Sequence, residues 1–283
     1  MTYAVIGPGA VGTVIAYEIS KVAEVTLFGR QEQQIILSSN TIDHKVNVSS
    51  LVLNDQTFDV IFVAVKVTKL AAIISSLKQM CHEETTIILC QNGMGQLDML
   101  TDFNAVQAVV YISGQKTDQH VKHFQDKTLI VPNDETMQRI SSELSVTELQ
   151  LIPSDDFAQK LWFKLLVNLG INTVTSLTKN TVHILELPEM NKFIEQLIQE
   201  GIEIARAEGQ SFDERTTREI MNIYKTYPKD MGTSMYYDTV AGVPLEYHYI
   251  QGELKRLAGL HNIHTPLLDI CCILLEGYQY KRE

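Results

Sequence analysis

The sequence is poor in basic residues, and this deficit excludes one large class of partner. It has 23 Lys and Arg against 34 Asp and Glu, which gives a formal net charge of −11. Binding to a nucleic-acid duplex needs a surplus of cations that displace counterions, so we expect no nucleic-acid partner. An anionic ligand would have to be held by a local cluster of donors.

Cysteines and long apolar runs are also scarce. The four cysteines form no CxxC pair, and adjacent Cys271 and Cys272 lie in an apolar run typical of core packing. This usage is typical of a reducing cytosol. Runs such as VIFVAV are far shorter than the ~20 residues that span a bilayer. The first residues, TYAVIG, enter a strand pattern at once, so we expect no cleaved leader, no membrane partner and a cytoplasmic location.

The first half of the chain alternates short runs rich in Val, Ile and Leu with helical segments. The runs are YAVIG, EVTLFG, DVIFVAV, TTIILC and AVVYIS. Such continuous apolar runs predict a parallel sheet covered by helices on both faces. KVNVSSLVL indicates an extra strand or hairpin. FQDKTLIVPND and ELQLIP indicate further strands, which we expect to be antiparallel additions at one edge.

At LIPSDDFAQK the pattern changes to helices. Pro153 is expected to close the last strand, and Ser154 or Asp155 to cap the next helix. The 283 residues suffice for two domains of ordinary size. We therefore predict an α/β domain over residues 1–153 and an all-helical domain over residues 154–283.

A glycine-rich motif, GPGAVG, follows the first strand and opens the first helix. In a dinucleotide-binding turn the first glycine permits the tight turn, the second lets the backbone approach a pyrophosphate, and the third lets the helix pack on the strand. The alternative is an ordinary strand-to-helix turn. We predict a Rossmann-type domain whose cofactor contacts include the residues of the motif: Gly7, Pro8, Gly9, Ala10, Val11 and Gly12.

No acidic residue stands at the end of the second strand, where NAD-binding domains hold the ribose 2′-hydroxyl. The sequence has Arg30 there, and Lys66 comes just after VIFVAV. Cations at these two strand ends favour a 2′-phosphate, and hence NADP, although each could also be a solvated surface charge. Asn92, in QNGMGQ, follows another strand of the same edge. It could bond cofactor ribose or a substrate oxygen, or form a polar turn.

The segment KLWFKLLVNLGIN is an apolar helix with a polar stripe. Lys164, Asn168 and Asn172 are spaced by four residues, so all three lie on one face. Trp162 and Phe163 are most simply core residues. A cationic donor can stabilise charge on a carbonyl oxygen and protonate it, and amides can donate to and accept from a substrate. The alternative is a structurally paired lysine with asparagines that bond neighbouring helices.

Taken together, the sequence resembles the ketopantoate reductases (2-dehydropantoate 2-reductases) over nearly its whole length. The resemblance rests on GPGAVG, Arg30, VAVK ending at Lys66, QNGMG, WFKLLVNLGIN and SMYYDTVAGVPLE from Ser234 to Glu246. It implies a Rossmann domain joined to a helical domain, and reduction of ketopantoate to pantoate with NADPH on the route to pantothenate and coenzyme A.

The resemblance also implies roles for individual residues. Lys164 is the general acid and a substrate anchor, and Ser234 binds the substrate carboxylate. Glu246 contacts substrate or cofactor ribose and also interacts with the lysine, and it belongs with Lys164 to the catalytic pair. Asn168 and Asn172 contact the substrate, and Arg30 and Lys66 hold the 2′-phosphate. Asn92 lies between cofactor and substrate.

Two stretches depart from the family pattern. The family commonly reads E-x-D-x-x-N-G, whereas this chain has His248 and Gln251 at the Asp and Asn positions. Val182 and Met231 stand where some members have asparagine. Because of these departures, the resemblance does not identify the residues that contact the far end of the substrate. Other 2-oxo acids with a branched chain, and a non-catalytic NADP-binding sensor, are the alternative functions.

Several further expectations concern single residues. Burial of Lys164 would lower its pKa, whereas an ionised Glu246 would oppose this. We expect Glu246 in the first turn of the helix LEYHYIQGELKR, where the helix dipole favours the ionised form. Glu200 is either a second partner of Lys164 or one of several exposed acids. The pairs His120/His123 and His261/His264 lack a third ligand at a suitable spacing, so we predict no metal site. The oligomeric state is open, with a homodimer through the helical domain as one option.

Overall fold

The computed structural model describes residues 1–280, which backbone contacts divide into two units. The first contains Met1–Gln91 and Gln96–Phe157. The second contains Asn92–Gly95 and the chain from Ala158 onward. The domain boundary after residue 153 stays a prediction, since this division falls after Phe157 and assigns one loop to the second unit.

Within the described residues the first unit has ten strands and three helices. The strands are β1 (Tyr3–Ile6), β2 (Val25–Gly29), β3 (Gln33–Ser39), β4 (Ile42–Ser50), β5 (Val60–Val63), β6 (Thr86–Leu89), β7 (Ala105–Gln107), β8 (Val109–Thr117), β9 (His120–Pro132) and β10 (Gln150–Ser154). The helices are α1 (Ala10–Ile19), α2 (Leu70–Met80) and α3 (Glu135–Leu144). Strands β1, β5 and β6 are buried at every residue, which explains why their sequences are apolar without alternation.

A parallel sheet forms the centre of this unit. Its order is β4-β2-β1-β5-β6-β7, and each of these neighbours pairs in parallel. The chain starts in the middle, moves to one side through β2 and later continues on the other side with β5. The predicted Rossmann-type arrangement is therefore confirmed. Ligands of such sheets bind beyond the carboxyl ends of the strands at the point where the order reverses, here between β1 and β5.

The added strands differ in part from the expectation. KVNVSSLVL forms β4 of an antiparallel hairpin with β3, as proposed. AVVYIS lies in β8, which is antiparallel to β9 and not part of the parallel series, because only two residues join these strands. The predicted antiparallel pairing of ELQLIP is wrong: β10 is parallel to β9. The cause is α3, which makes the connection a strand–helix–strand crossover and begins where Asp134 Oδ1 accepts from the Met137 N–H at 2.8 Å.

One fully buried carboxylate ties distant parts of the first unit together. Glu18, in α1, accepts from Lys21 Nζ at 2.7 Å, from Lys127 Nζ at 2.6 Å and from the backbone N–H of Glu148 at 3.2 Å. Burial alone raises the pKa of Glu18, but the bonds from Lys127 and Lys21 outweigh it and hold this pKa below its ordinary value of 4.5. Lys127 also bonds Glu148. The network joins α1 to β9 and to the segment before β10.

The described part of the second unit is helical, as predicted. Its helices are α4 (Phe157–Thr178), α5 (Pro188–Ala207), α6 (Glu214–Thr226), α7 (Ser234–Ala241), α8 (Gln251–Leu260) and α9 (Pro266–Gln279). Helix α4 runs through the middle of the core, and every residue from Leu165 to Ser176 is buried. Trp162, Cys271 and Cys272 belong to the same core, as expected. Among residues 1–280, none of the helices is long and apolar enough to cross a membrane.

Candidate active site

The GPGAVG motif forms the turn between β1 and α1, and close backbone contacts require two of its glycines. Gly7 has φ +113°, and a Cβ there would lie 2.6 Å from the carbonyl carbon of Ala64, just beyond β5. A Cβ on Gly12 would lie 2.1 Å from the oxygen of Gly7. Gly9 precedes α1, and a Cβ there would meet nothing within 4 Å. The turn is therefore tight on the protein side and open above Gly9.

This turn fits the pyrophosphate of a dinucleotide. Ala10 and Val11 begin α1, whose first N–H groups have no partner in a preceding turn and attract anions. Thr13 Oγ1 is buried without a hydrogen-bond partner in the described residues. The same holds for both amide atoms of Gln91, which follows β6 by one residue. Polar atoms left unpaired at this edge of the sheet are suited to a bound polar ligand.

Two predicted cations follow the two strands that flank β1, and a third cation, Lys116, was missed. Arg30 follows β2 and Lys66 follows β5, and both side chains are exposed. Lys116, in β8, donates from Nζ to the Pro8 carbonyl at 2.6 Å. Burial and then the charge of Arg30 lower the pKa of Lys116. No local pattern marks Lys116 as a site residue, because β8 lies outside the parallel strands whose carboxyl ends form dinucleotide sites.

In the second unit, the lysine–asparagine stripe lies on the single continuous helix α4, as expected from its spacing. Lys164 is half-buried, whereas Asn168 and Asn172 are only 7% and 4% exposed. Trp162 and Phe163 face the core, so the apolar side of this helix has the expected role. The stripe therefore presents an ammonium near the partly exposed end of the helix and two amides farther inside.

A row of buried polar side chains ties α4 to the elements that carry the other candidates. Thr175 Oγ1 bonds Thr233 Oγ1 at 2.8 Å, and Thr233 caps α7 directly before the exposed Ser234. Gln251 Nε2, at the start of α8, donates to Thr173 Oγ1 at 2.8 Å. These bonds position the starts of α7 and α8 against α4. Sequence reasoning missed them, since the threonines looked like ordinary helix residues.

Glu246 does not occupy the predicted position in a helix. It precedes a short 3₁₀ turn, Tyr247–Tyr249, and α8 begins only at Gln251. Ile250, with φ −118° and ψ −82°, interrupts the helix between them. The expected stabilisation of the Glu246 carboxylate by the first turn of α8 is therefore wrong. The side chain is 9% exposed, so it is a nearly buried acid.

The loop that carries Asn92 packs on the same segment. The N–H of Met94 donates to the oxygen of Tyr249 at 2.8 Å. A Cβ on Gly93 would lie 2.2 Å from that oxygen, so glycine is required for this approach. The structure thus brings the Asn92 loop beside the turn that follows Glu246.

Glu200 is only partly exposed, and its carboxylate bonds the start of a neighbouring helix. Its two carboxylate oxygens accept from the backbone N–H groups of Leu267 at 3.0 Å and Leu268 at 2.8 Å. Both N–H groups belong to the first turn of α9, where a carboxylate is favoured by unpaired donors and by the helix dipole. Glu200 therefore caps α9 from α5.

The departures from the family pattern fall in two places. Val182 donates its N–H to the oxygen of Met231 at 2.9 Å, so the two apolar replacements are neighbours. Gln251 is fully buried and bonds Thr173, as described above, whereas His248 is exposed. Two of the four departures are therefore adjacent apolar residues of the helical core, and one has an internal structural role.

The histidine pairs have local partners. His120 Nε2 lies 2.6 Å from Ser38 Oγ, and His123 Nδ1 lies 3.2 Å from Ser39 Oγ. His261 Nε2 contacts Glu208 at 2.5 Å. Residues 1–280 contain no group of three or more His, Cys, Asp or Glu that could hold a metal ion.

Nearly the whole chain matches the models of one protein family. Residues 3–135 match the family model described as ketopantoate reductase PanE/ApbA, and residues 156–279 match that for the ketopantoate reductase PanE/ApbA C terminal. A structure of dimeric ketopantoate reductase from Staphylococcus aureus is 42% identical, with a TM-score of 0.97 and 100% of both chains covered.

More distant relatives extend the comparison. The 2-dehydropantoate 2-reductase of Mycobacterium tuberculosis H37Rv is 27% identical over 284 residues, which cover 96% of each chain. D-mandelate dehydrogenase bound to NADH and anilino(oxo)acetate shares the fold at a TM-score of 0.89, with 18% identity and coverage of 99% of this chain and 98% of that one.

Proposed function

Because the chain belongs to the ketopantoate reductase family, we propose that it reduces 2-dehydropantoate (ketopantoate) to pantoate with NADPH, a step toward pantothenate and coenzyme A. The observation that carries this proposal is the full-length similarity to the ketopantoate reductase of Staphylococcus aureus. The cofactor, when bound, supplies a hydride to the carbonyl carbon. The protein's task is to bind and orient both molecules and to deliver a proton to the carbonyl oxygen.

The first unit holds the cofactor. The open turn at Gly9 and the backbone N–H groups at the start of α1 would hold its pyrophosphate. Arg30 and Lys66 hold the 2′-phosphate, which explains why no acid stands after β2 to bind a free ribose hydroxyl. Asn92 binds between cofactor and substrate.

The second unit supplies the proton and the substrate contacts. Lys164 donates a hydrogen bond to the substrate carbonyl oxygen, stabilises the negative charge that develops there and then transfers a proton. Glu246 orients this ammonium or bonds the cofactor ribose. The substrate is held by Asn168 and Asn172, which can donate and accept, and by Ser234, whose hydroxyl and position at the start of α7 suit a carboxylate.

A second candidate function is the reduction of another branched 2-oxo acid. The observation that favours it is the apolar pair Val182 and Met231, which stands where some family members have asparagine. An apolar patch gains little from the hydroxyl of ketopantoate but does not oppose an aliphatic side chain. A third candidate is an NADP-binding sensor without turnover.

Steady-state oxidation of NADPH separates these functions. The kcat/KM should be measured with ketopantoate and with 2-oxoisovalerate, which has a hydrogen in place of the hydroxymethyl group. We expect a preference for ketopantoate of at least ~10-fold, as one substrate hydroxyl is worth about 1.4 kcal/mol or more when it is bonded. A preference for 2-oxoisovalerate would favour the second candidate function, the reduction of another branched 2-oxo acid. Tight NADPH binding without turnover of either acid would leave only the sensor.

We also propose a homodimer formed through α9, consistent with the dimeric Staphylococcus aureus relative. Ile270, Ile273 and Leu274 lie on one face of α9 and are 54%, 61% and 53% exposed. Exposed apolar side chains at this spacing are typical of a helix that packs on another. Sedimentation velocity of Ile273→Glu should show monomer at concentrations where the wild type is a dimer. A variant that stays dimeric would exclude this face.

A cytoplasmic location is proposed from the thiols. All four cysteines are free, and burial raises the pKa of Cys271 to about 12 and that of Cys272 to about 11. Such thiols are inert and suit a reducing compartment.

A further inference from the structure

We propose that Lys116 is a third cation of the cofactor's 2′-phosphate site, acting with Arg30 to set the preference for NADPH over NADH. The inference rests on the proposed binding of a nicotinamide dinucleotide but not on the identity of the oxo acid. It concerns only residues of the first unit.

The geometry places Lys116 against the glycine-rich turn. A Cβ on Gly114 would lie 3.3 Å from the Cβ of Ala10, so β8 passes directly beside the start of α1. Two residues later, the Nζ of Lys116 reaches the carbonyl of Pro8 at 2.6 Å. The hairpin strand β8 thus adds a side chain to a site otherwise built from the parallel strands.

Pro8 links Lys116 to the end of β2, where the 2′-phosphate is expected. A Cβ on Gly29 would lie 2.9 Å from the Cγ of Pro8, so Pro8 packs on the last residue of β2. Arg30 is the next residue along the chain. The 2′-phosphate of NADP is recognised at this strand end in Rossmann domains. Lys116 therefore contacts the proline that packs on the residue directly before Arg30.

The charges at this place are unbalanced. Neither Lys116 nor Arg30 forms an ion pair with any residue in the part of the chain that the structure describes, and Arg30 lies near enough to lower the pKa of Lys116. Two cations close together without a counter-ion repel each other, and a bound dianion removes this repulsion. A lysine ammonium has three donors, and the bond to Pro8 uses one. Two donors remain for phosphate oxygens.

The competing interpretation is that Lys116 only braces the turn. A brace would support binding of the pyrophosphate and the adenosine as much as that of the 2′-phosphate. A phosphate ligand would affect only molecules that carry the 2′-phosphate. The two roles can therefore be separated by a pair of ligands that differ in this group alone.

The test is calorimetric titration of the purified protein with 2′,5′-ADP and with 5′-ADP. We expect Lys116→Met to weaken binding of 2′,5′-ADP by ~10-fold or more and to change binding of 5′-ADP by less than ~2-fold. Lys116→Gln keeps a donor for Pro8 but no charge, so it should show the same selective loss. Arg30→Met should behave similarly, whereas Lys45→Met, which removes an exposed lysine from β4, should bind both ligands normally.

Several results would overturn the proposal. Equal losses for both ligands, or normal binding by Lys116→Gln, would assign Lys116 to bracing. Unchanged binding by Lys116→Met would give it no role at all. Equal wild-type affinity for the two ligands would show that the protein has no binding site for the 2′-phosphate. The oxo-acid proposal fails separately: wild-type protein could select 2′,5′-ADP and still turn over no ketopantoate.

Discussion

Helix α4, which carries the polar stripe, makes a tight contact with Tyr224 at Gly170, and this contact gives the sharpest prediction. The Tyr224 hydroxyl, from α6, donates to the carbonyl of Val167 at 2.7 Å. Burial raises its pKa well above the ordinary value, while the backbone N–H of Ile171 acts in the opposite direction. In an α-helix, this N–H and the Val167 carbonyl would bond each other. The phenol therefore packs against the face of α4 formed by Val167, Gly170 and Ile171.

Replacing Gly170 with alanine should destabilise the second unit, contrary to the usual effect. Alanine at a helix interior normally gains about 1 kcal/mol over glycine. Here the new Cβ would lie 2.5 Å from the Tyr224 oxygen and 3.0 Å from Cγ2 of Ile194. Overpacking of a buried site costs about 1–3 kcal/mol, so after the gain of about 1 kcal/mol we expect a net loss of up to about 2 kcal/mol.

Tyr224→Phe provides the matched control, because it removes the hydroxyl that the new methyl group meets. Alone it should cost about 1 kcal/mol, since the Val167 carbonyl can still accept from the backbone. In this background Gly170→Ala should be neutral or mildly stabilising. The double-mutant cycle should thus show a favourable coupling of about 1–2 kcal/mol.

The chain supplies its own probe for this measurement. Trp162 is its only tryptophan, lies in α4 and is 3% exposed, so its fluorescence reports unfolding of the second unit. Urea unfolding of the wild type, the two single variants and the double variant gives a free energy of unfolding for each from its midpoint and slope. These four values give the coupling free energy. Effects that add within about 0.5 kcal/mol would show that the two residues are not in contact in solution, and the reasoning would be refuted.

Three further predictions concern catalysis, pH and capping. Lys164→Ala should lower kcat at least ~10²-fold and leave the Kd for NADPH unchanged. Near-normal turnover in the NADPH assay would show that Lys164 is not the general acid. Glu18→Gln should cost about 3 kcal/mol at pH 7. Since the folded-state pKa of Glu18 is depressed, this stabilisation exists above about pH 4.5 and is lost as the pH falls through that pKa, so urea midpoints of variant and wild type should converge in acid. A constant difference would contradict the ionised network. Glu200→Gln should lower the free energy of unfolding by about 1 kcal/mol and leave kcat unchanged; a large fall in kcat would restore Glu200 as a partner of Lys164.

The sequence predicted those parts of the fold that rest on local patterns. Buried strands, the glycine turn and the spacing of Lys164, Asn168 and Asn172 are each determined by a few neighbouring residues. The parallel order around β1 followed because such strands need helical crossovers. The antiparallel pairing expected for β10 was wrong because the prediction did not include α3, the helix whose crossover makes β10 parallel to β9.

Contacts between distant segments could not be predicted in the same way. Lys116 is separated from Pro8 by 108 residues, and nothing in its local sequence distinguishes it from a surface lysine. Gln251 looked like a departure from a binding motif, whereas its partner is Thr173 in α4. Glu246 was placed in a helix because LEYHYIQGELKR has a helical pattern, but Ile250 interrupts it. Each of these outcomes depends on tertiary packing.

The buried Glu18 carboxylate has a consequence for the order in which the chain can acquire its structure during synthesis. Helix α1 is near the start of the chain, yet the N–H of Glu148 that bonds Glu18 lies 130 residues later, and Lys127 lies 109 residues later. Before those residues leave the ribosome, burial of the carboxylate would leave it with Lys21 as its nearby cation, at a high desolvation cost. We therefore expect the nascent βαβ segment to stay only loosely docked until about residue 148 has emerged, so that the first unit completes its core late in its own translation.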